Sequence, residues 1–270
     1  MKIEDTVLCL CSRQNIEAEH HQRLETIGSN AHIDWEYVFA TAHQHLISPL
    51  VFRNLKQCGL PVSPQARELF EQVVAHNMAV KEETAVALQE VLGYFASEHI
   101  DVMLLKGSAL DLTVFKHPWQ LISYDVDLLI RQRKEDLPET VRSEIIDLLE
   151  ALNHRQESLA ELIEYDFYSH HDVTMNGIVP FDPERVWQDA HELKFAGHRV
   201  YVMSAEDMLL AAAVQCCRKR FFRLKTLISI PEIVRASPEL DWEVVIQKAR
   251  DYHANVILYT ALLITEKLLG

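Results

Sequence analysis

The sequence predicts an α+β protein in which a small mixed β-sheet is flanked by helical regions at both ends of the chain. Glycine and proline are scarce, 7 and 9 of 270 residues, and long segments repeat apolar residues at helical spacing. Two short apolar runs, 100–105 and 123–130, have instead the length of buried strands. These patterns divide the chain into an N-terminal helical region (1–97), a sheet-bearing core (98–203) and a C-terminal helical region (204–270).

The N-terminal region contains helix starts that capping chemistry identifies. Asp34 is a candidate N-cap, because its side chain can accept from the first backbone N–H groups of the helix that follows. Ser63 and Pro64 place a second cap and a first-turn proline before another helix. An apolar stripe then runs from Leu69 to Phe95. We expect these helices to pack as a bundle or a lid.

The core region alternates short strands with helices. A strand over 100–105 ends at the Lys-Gly-Ser turn 106–108, a short helix covers 109–115, and a second strand covers 123–130. A helix then passes through 141–152. The order of these elements places the turn and the second strand close together along the chain.

A third strand is predicted over 165–173, which is rich in aromatic and β-favouring residues. Alternate residues of that strand, among them Asp166, His170 and Asp172, would share one face. The Ser-Ala-Glu-Asp segment at 204–207 fits a capping box, so a helix should begin there.

Composition excludes several classes of protein. The formal net charge of −14 argues against binding to duplex nucleic acid, since that binding depends on Lys and Arg neutralising phosphates. Five cysteines without C-x-x-C spacing indicate reduced thiols. The sequence has no signal-peptide pattern and no apolar run of membrane-spanning length, so we expect a cytoplasmic protein without a membrane partner. It also lacks a Walker A loop, a G-x-S-x-G elbow and a zincin motif.

Two carboxylates in the second strand carry the main functional signal. Side chains alternate along a strand, so Asp125 and Asp127 point the same way while Val126 points into the core. Two such charges repel each other by roughly 3 kcal/mol at an effective dielectric constant of about 20, unless a cation lies between them. Carboxylate oxygens suit a divalent metal. The alternative is that both aspartates are charges on an edge strand.

This pattern fits nucleotidyl transfer, which uses two metal ions roughly 3.5 to 4 Å apart. Asp125 and Asp127 can supply ligands to both ions. A third carboxylate from a neighbouring strand would complete the site. Our candidate is Asp172, with Asp166 as the runner-up, and the alternative for Asp172 is a residue without a catalytic role.

The turn at 106–108 has the features of a phosphate site. Gly107 and Ser108 lie where a strand meets a helix N-terminus, so their backbone N–H groups can face the β- and γ-phosphates, and the Ser108 hydroxyl adds a donor. Lys106 can neutralise phosphate charge or pair with the carboxylates. The alternative for Lys106 is an ordinary surface salt bridge.

The same segments resemble a known family. LKGSAL at 105–110 and DVDLL at 125–129, with Phe115 between them, are similar to motifs of an uncharacterised bacterial nucleotidyltransferase family in the polymerase-beta-type superfamily. The resemblance extends over about residues 35–260.

The resemblance implies a nucleotidyltransferase core with Mg²⁺ or Mn²⁺ as cofactor, a nucleoside triphosphate such as ATP as substrate, and an unidentified hydroxyl acceptor on a small molecule, a protein or an RNA end. The residues assigned to this activity are the catalytic, metal-binding Asp125, Asp127 and Asp172 and the nucleotide-binding Lys106, Gly107 and Ser108. The competing interpretation is a catalytically silent member of the same fold that binds a nucleotide or a partner protein.

The sequence departs from the family pattern in two places. Leu121 stands where relatives usually have an arginine, four residues before the first aspartate, and this loss removes a contact to phosphate or acceptor. Thr174 stands where relatives often have a histidine. The change at Leu121 motivates the silent alternative.

A basic cluster lies in the C-terminal region and consists of Arg218, Lys219, Arg220, Arg223 and Lys225. On an acidic protein, such a cluster can bind a triphosphate or an anionic acceptor. The alternative is a solvated helix end, where the helix dipole favours cations.

Overall fold

The computed structural model of the protein describes residues 2–30, 32–123, 125–155, 164–168 and 179–270, with the backbone alone at 134, 151–155 and 164–168.

Helices make up the N-terminal part. They are α1 (Ile3–Cys11), α2 (Ala18–Asn30), α3 (Trp35–Gln44), α4 (Ser48–Gln57) and α5 (Pro64–Ser97). Asp34 caps α3 by accepting from the backbone N–H of Tyr37 at 2.9 Å. Ser63 caps α5 by accepting from the N–H of Ala66 at 3.1 Å. Both expected helix starts are confirmed.

The central part contains the strands. They are β1 (Val102–Leu104), β2 (Asp125–Ile130), β3 (Glu164–Tyr168), β4 (His191–Phe195) and β5 (His198–Val202). The α-helices between them, within the described residues, are α6 (Lys106–Thr113), α7 (Glu139–Arg155) and α8 (Pro183–Gln188).

The described strands form one mixed sheet in the order β3-β2-β1-β5-β4. Strand β2 is antiparallel to β1 and parallel to β3, while β5 is parallel to β1 and antiparallel to β4. The central strand β1 pairs its Met103 with Leu129 of β2. The predicted fold class, a small mixed sheet between helical regions, is confirmed.

Two local differences from the sequence prediction affect the central part. Helix α6 begins at Lys106 rather than at 109, so the Lys-Gly-Ser turn is the first turn of that helix. Strands β4 and β5 form a hairpin around Ala196 and Gly197 that the sequence analysis did not predict. Both turn residues have positive φ, 48° and 86°, which is the geometry of a two-residue hairpin loop.

The C-terminal part is helical, with α9 (Ala205–Arg218), α10 (Leu224–Ala236), α11 (Trp242–Asp251) and α12 (Asn255–Leu269). Ser204 caps α9, because its hydroxyl accepts from the N–H of Asp207 at 3.2 Å. The helix start expected from the capping pattern is therefore confirmed.

The sheet separates two apolar clusters. Val126 and Leu128 point to one face, into the cluster that contains Phe95 of α5 and Ile145 of α7. Leu129 points to the other face, into a larger cluster shared by residues of both helical ends of the chain. The helical ends therefore bury apolar surface together against one face of the sheet. The division at 97/98 and 203/204 stays a prediction.

The cysteines agree with the expectation of reduced thiols. Cys9, Cys11, Cys58, Cys216 and Cys217 are all free thiols. Among the helices that the structure describes, none combines the length and the apolar character needed to cross a membrane.

Candidate functional site

The aspartates of β2 lie on the face of the sheet that is turned toward the larger cluster. Asp125 begins the strand and is exposed, whereas the side chain of Asp127 is only 1% exposed. Val126, between them, is buried on the opposite side of the sheet. Alternation along the strand puts both carboxylates on one face of β2.

Lys106 is the cation that meets the buried carboxylate. Its ammonium donates to Oδ1 of Asp127, and the backbone N–H of Leu105 donates to the carbonyl of Asp127 at 3.0 Å. Lys106 adopts a left-handed backbone conformation, φ 47°, which is unusual for a residue with a side chain. Such strain is found at functional sites, where surrounding contacts hold it in place. Of the roles considered for Lys106, the structure shows the contact with a carboxylate.

Gly107 and Ser108 occupy the first turn of α6. The first backbone bond of that helix runs from Ala109 N–H to Leu105 C=O, so the N–H groups of the two preceding residues have no partner within the helix. Gly107 lies against the Ser123 side chain, and a Cβ atom on Gly107 would be 2.8 Å from Ser123 Oγ. A side chain at position 107 would therefore displace Ser123, so glycine keeps the first turn of α6 in contact with the segment that precedes β2.

Ser123 connects the β2 carboxylate to the C-terminal helices. Its hydroxyl donates to Oδ1 of Asp125 at 3.2 Å. The ammonium of Lys225, on α10, donates to Ser123 Oγ at 3.1 Å and to the carbonyl of Ile122 at 2.7 Å. Burial lowers the pKa of Lys225 to about 8, although the nearby Asp125 acts in the opposite direction. The Ser123 hydroxyl thus bridges the partly desolvated ammonium of Lys225 and the candidate metal ligand Asp125.

A cavity of about 610 Å³ opens at these residues. Gly107, Ser123 and Asp125 line it together with residues of α9 and of the start of α10. The α9 residues that line it recur at helical spacing and are Met208, Ala211, Ala212, Gln215 and Arg218. The lining therefore changes from apolar to cationic along one face of α9. A volume of this size is typical of small-molecule sites.

The basic cluster predicted from the sequence faces this cavity. Arg218, Lys219, Arg223 and Lys225 line it, whereas Arg220 is not among the described lining residues. The chain turns between α9 and α10 through Arg220 and Phe221, both with positive φ. The interpretation as an ordinary solvated helix end is thus incomplete, because most of the cluster borders a cavity that also contains Asp125.

A partly buried ion pair in the wall was not anticipated from the sequence. Lys81 of α5 donates to Asp111 of α6 at 2.6 Å, and Asp111 lines the cavity. Burial raises the pKa of Asp111, although Lys81 acts against this change. No sequence pattern identified Asp111, because its partner Lys81 lies on a different helix.

The third strand is described only in part. Asp166 is the backbone partner of Asp127 in the parallel register between β3 and β2. Asp172, His170 and Thr174 lie outside the described residues. The register brings the runner-up carboxylate residue next to Asp127 in the sheet.

Leu121 is buried and lines the cavity. Asn77 of α5 donates to its carbonyl at 3.3 Å and to that of Trp119 at 2.7 Å. The position where the family resemblance predicts an arginine thus holds a buried apolar side chain whose backbone is bound by Asn77.

The donor set of β2 fits a magnesium-type ion. Within the described parts of the chain, no group of three or more His, Cys, Asp or Glu is arranged to hold a metal. Mg²⁺, however, is commonly bound through one or two carboxylates together with substrate phosphates and water. Asp125 offers an exposed carboxylate, and Asp127 already has a cationic partner in Lys106. The oxygen donors of these two residues are of the kind that such an ion binds, and an ion at Asp127 would share that carboxylate with Lys106.

Comparison with known proteins gives two findings. Residues 31–270 match the family described as "uncharacterised nucleotidyltransferase". A crystal structure of an antigenic nucleotidyltransferase-like protein from Paracoccidioides brasiliensis is 16% identical, with a TM-score of 0.42 over 69% of this chain and 93% of that chain. No curated protein matches the chain significantly. Because the family match spans most of the sequence, the chain belongs to the uncharacterised nucleotidyltransferase family.

Proposed function

We propose that the protein is a metal-dependent nucleotidyltransferase, which moves a nucleoside monophosphate from a nucleoside triphosphate to a hydroxyl acceptor and releases pyrophosphate. The observation that carries this proposal is the placement of Asp125 and Asp127 on one face of β2, beside the first turn of α6. A triphosphate at that turn would lie next to both carboxylates. Family membership supports the same class of reaction.

The first turn of α6 holds the phosphates in this proposal. Backbone N–H groups at a helix N-terminus favour anions, and Gly107 lets the chain approach them closely. Ser108 supplies a hydroxyl donor, and Lys106 supplies positive charge beside Asp127. These groups orient the triphosphate with its α-phosphorus toward the acceptor.

Asp125 and Asp127 would hold Mg²⁺ or Mn²⁺, with Asp172 as the proposed third ligand and Asp166 as the alternative. When bound, the metal would lower the pKa of the acceptor hydroxyl and stabilise charge on the phosphates. In the transfer, the acceptor oxygen forms a bond to the α-phosphorus as the bond to the β-bridging oxygen breaks. Pyrophosphate takes up the electron pair of that bond, and the hydroxyl proton passes to a carboxylate or to water.

The test has two stages. A nucleoside triphosphate with Mn²⁺, at about 100 times its dissociation constant, stabilises the protein by about 2.7 kcal/mol and raises the melting temperature by a few degrees. Label from an α-³²P triphosphate should then pass to an acceptor in a panel of small molecules, proteins and RNA ends. Asp127→Asn should abolish the transfer. Unchanged turnover in that variant would overturn the site assignment.

A second candidate is a nucleotide-binding protein without transferase activity. Leu121 favours it, because a buried apolar side chain lines the cavity where relatives usually have an arginine. Binding without transfer, over the same panel of acceptors, would support this candidate. Introducing the cation by Leu121→Arg would then be expected to produce transfer, provided that the variant folds.

A further inference from the structure

One side of the cavity carries several positive charges that have no carboxylate partner among the described residues. The residues that line it at the α9–α10 junction are Arg218, Lys219, Arg223 and Lys225, which we call the cationic wall. In the described parts of the chain, no carboxylate lies within ion-pair distance of any of them. The whole chain, by contrast, carries a formal charge of −14.

The carboxylates that face the same cavity do not balance this charge. Asp111 is bound to Lys81, and Asp127, behind the lining, is bound to Lys106. The exposed Asp125 is the remaining described carboxylate of the lining. A cavity with more cations than carboxylates stabilises a ligand of negative charge, since clustered like charges repel each other.

Contacts hold two residues of the cationic wall, Arg223 and Lys225, in place. Arg223 donates to the carbonyl of Gln44 at 3.1 Å, and the N–H of Leu224 donates to Nδ1 of His45 at 3.4 Å. Lys225 donates to the Ile122 carbonyl and to Ser123. Charges that are positioned before a ligand arrives lose less conformational entropy on binding.

We propose that the cationic wall is a subsite for a phosphoryl group, which deepens the proposed transferase function and rests on it. Arginine guanidinium groups match the geometry of phosphate oxygens, and lysines add charge. The phosphoryl group belongs either to the β,γ-end of the donor triphosphate or to an acceptor that itself carries a phosphate. Both sources have the same chemistry, and binding measurements distinguish them.

The first measurement uses pyrophosphate and inorganic phosphate without divalent metal, by titration calorimetry at fixed ionic strength. Arg218→Gln and Lys219→Gln should each weaken pyrophosphate binding by about tenfold or more, the usual loss for a charged hydrogen bond. Arg142→Gln, at an exposed position of α7, is the matched control and should bind pyrophosphate as the parent protein does. Lys219 is exposed at the end of α9, so its variant stays informative if Arg218→Gln fails to fold. Unchanged pyrophosphate and phosphate binding in both wall variants would overturn the proposal.

A second measurement identifies the source of the phosphoryl group. Weaker binding of a nucleoside triphosphate with Mn²⁺ in the wall variants assigns the subsite to the donor. Unchanged triphosphate binding, with loss of inorganic phosphate binding in the triphosphate-saturated protein, assigns it to the acceptor. Because the first measurement needs neither metal nor turnover, its result is separate from that of the transfer assay. Transfer by the parent protein together with unchanged anion binding in the wall variants would refute this subsite alone.

Discussion

Gly107 and Ser123 approach each other so closely that a Cβ atom on Gly107 would lie 2.8 Å from Ser123 Oγ. The contact joins the first turn of α6 to the residue that donates to Asp125. Gly107→Ala should therefore destabilise the protein by about 1 to 3 kcal/mol, the usual range for added atoms in a packed site, and weaken triphosphate binding. Urea denaturation and calorimetry measure the two effects.

The companion variant is Ser123→Ala, which removes the hydroxyl that the added Cβ would meet. The next nearest atom, Ser123 Cβ, is 3.6 Å from the added Cβ, an ordinary contact distance. The double variant should lose less stability than the sum of the two single losses, as expected for residues in direct contact. Additive losses would show that the steric contact is not what constrains this position.

Replacing Lys106 should make the stability of the protein depend on a divalent metal. Lys106→Met leaves the buried carboxylate of Asp127 without its ammonium partner, and breaking a buried ion pair costs about 3 to 5 kcal/mol. Mn²⁺ should recover much of this loss, because the ion can neutralise the same carboxylate. Thermal melting in EDTA and in Mn²⁺ measures the difference. Asp127→Asn in the Lys106→Met background should remove the response to Mn²⁺, and equal melting curves for Lys106→Met in the two buffers would contradict the metal assignment.

The parts of this site that sequence predicted are those set by local rules. Alternation along a strand places Asp125 and Asp127 on one face, and capping chemistry locates the start of α9 at Ser204. The hairpin of β4 and β5 was not predicted, since its turn has Ala196 in a left-handed conformation, where hairpin turns usually have asparagine, aspartate or glycine.

Contacts between distant segments could not be predicted in the same way. Lys225 donates to Ser123, 102 residues away in the sequence, and Lys81 donates to Asp111, 30 residues away. Each lysine taken alone resembles a surface charge. Its burial depends on how the helices pack against the sheet, which no local pattern specifies.

Binding of a triphosphate should weaken as pH rises through about 8. The pKa of Lys225 is lowered to about 8 by burial and by Lys81, while Asp125, Asp111 and Asp127 act to raise it. A bound anion favours the charged ammonium, so above pH 8 the free protein must take up a proton to bind. Affinity should then fall by up to about tenfold per pH unit, as one linked proton requires. Calorimetry from pH 6.5 to 9.5 measures this dependence.

Lys225→Arg serves as the control for this titration, because arginine keeps its charge throughout the range. The fall in affinity near pH 8 should be absent in a folded Lys225→Arg variant and retained in Lys219→Arg. The same pH profile in the parent and in Lys225→Arg would assign the titration to another group.

The third carboxylate can be identified by comparing two variants of the same chemistry. Asp172 is the proposed ligand, whereas Asp166 is the register partner of Asp127. Removing a metal ligand should lower turnover by at least about a hundredfold, equivalent to about 2.7 kcal/mol, whereas a residue without a catalytic role should have a small effect. Asp172→Asn is expected to show the large loss and Asp166→Asn the smaller one. The reverse order would assign the role to Asp166, and two small effects would leave the ion with the β2 carboxylates and substrate oxygens.

Lys248 should be essential for the placement of α9. Its ammonium, 1% exposed, donates to Asp207 at 2.7 Å and lies 2.7 Å from Asp189, so α11, α9 and the end of α8 meet at one buried charge. Lys248→Met leaves the fully buried carboxylate of Asp207 without its cation and should destabilise the protein by about 3 to 5 kcal/mol. Asp189→Asn, at a carboxylate that is 42% exposed, should lose less than about 1 kcal/mol. Urea denaturation of the two variants gives the comparison, and equal losses would show that burial of the Asp207–Lys248 pair does not determine the loss of stability.

Because α9 carries the apolar-to-cationic face of the cavity, a folded Lys248→Met protein should also bind pyrophosphate more weakly, although Lys248 itself does not line the cavity.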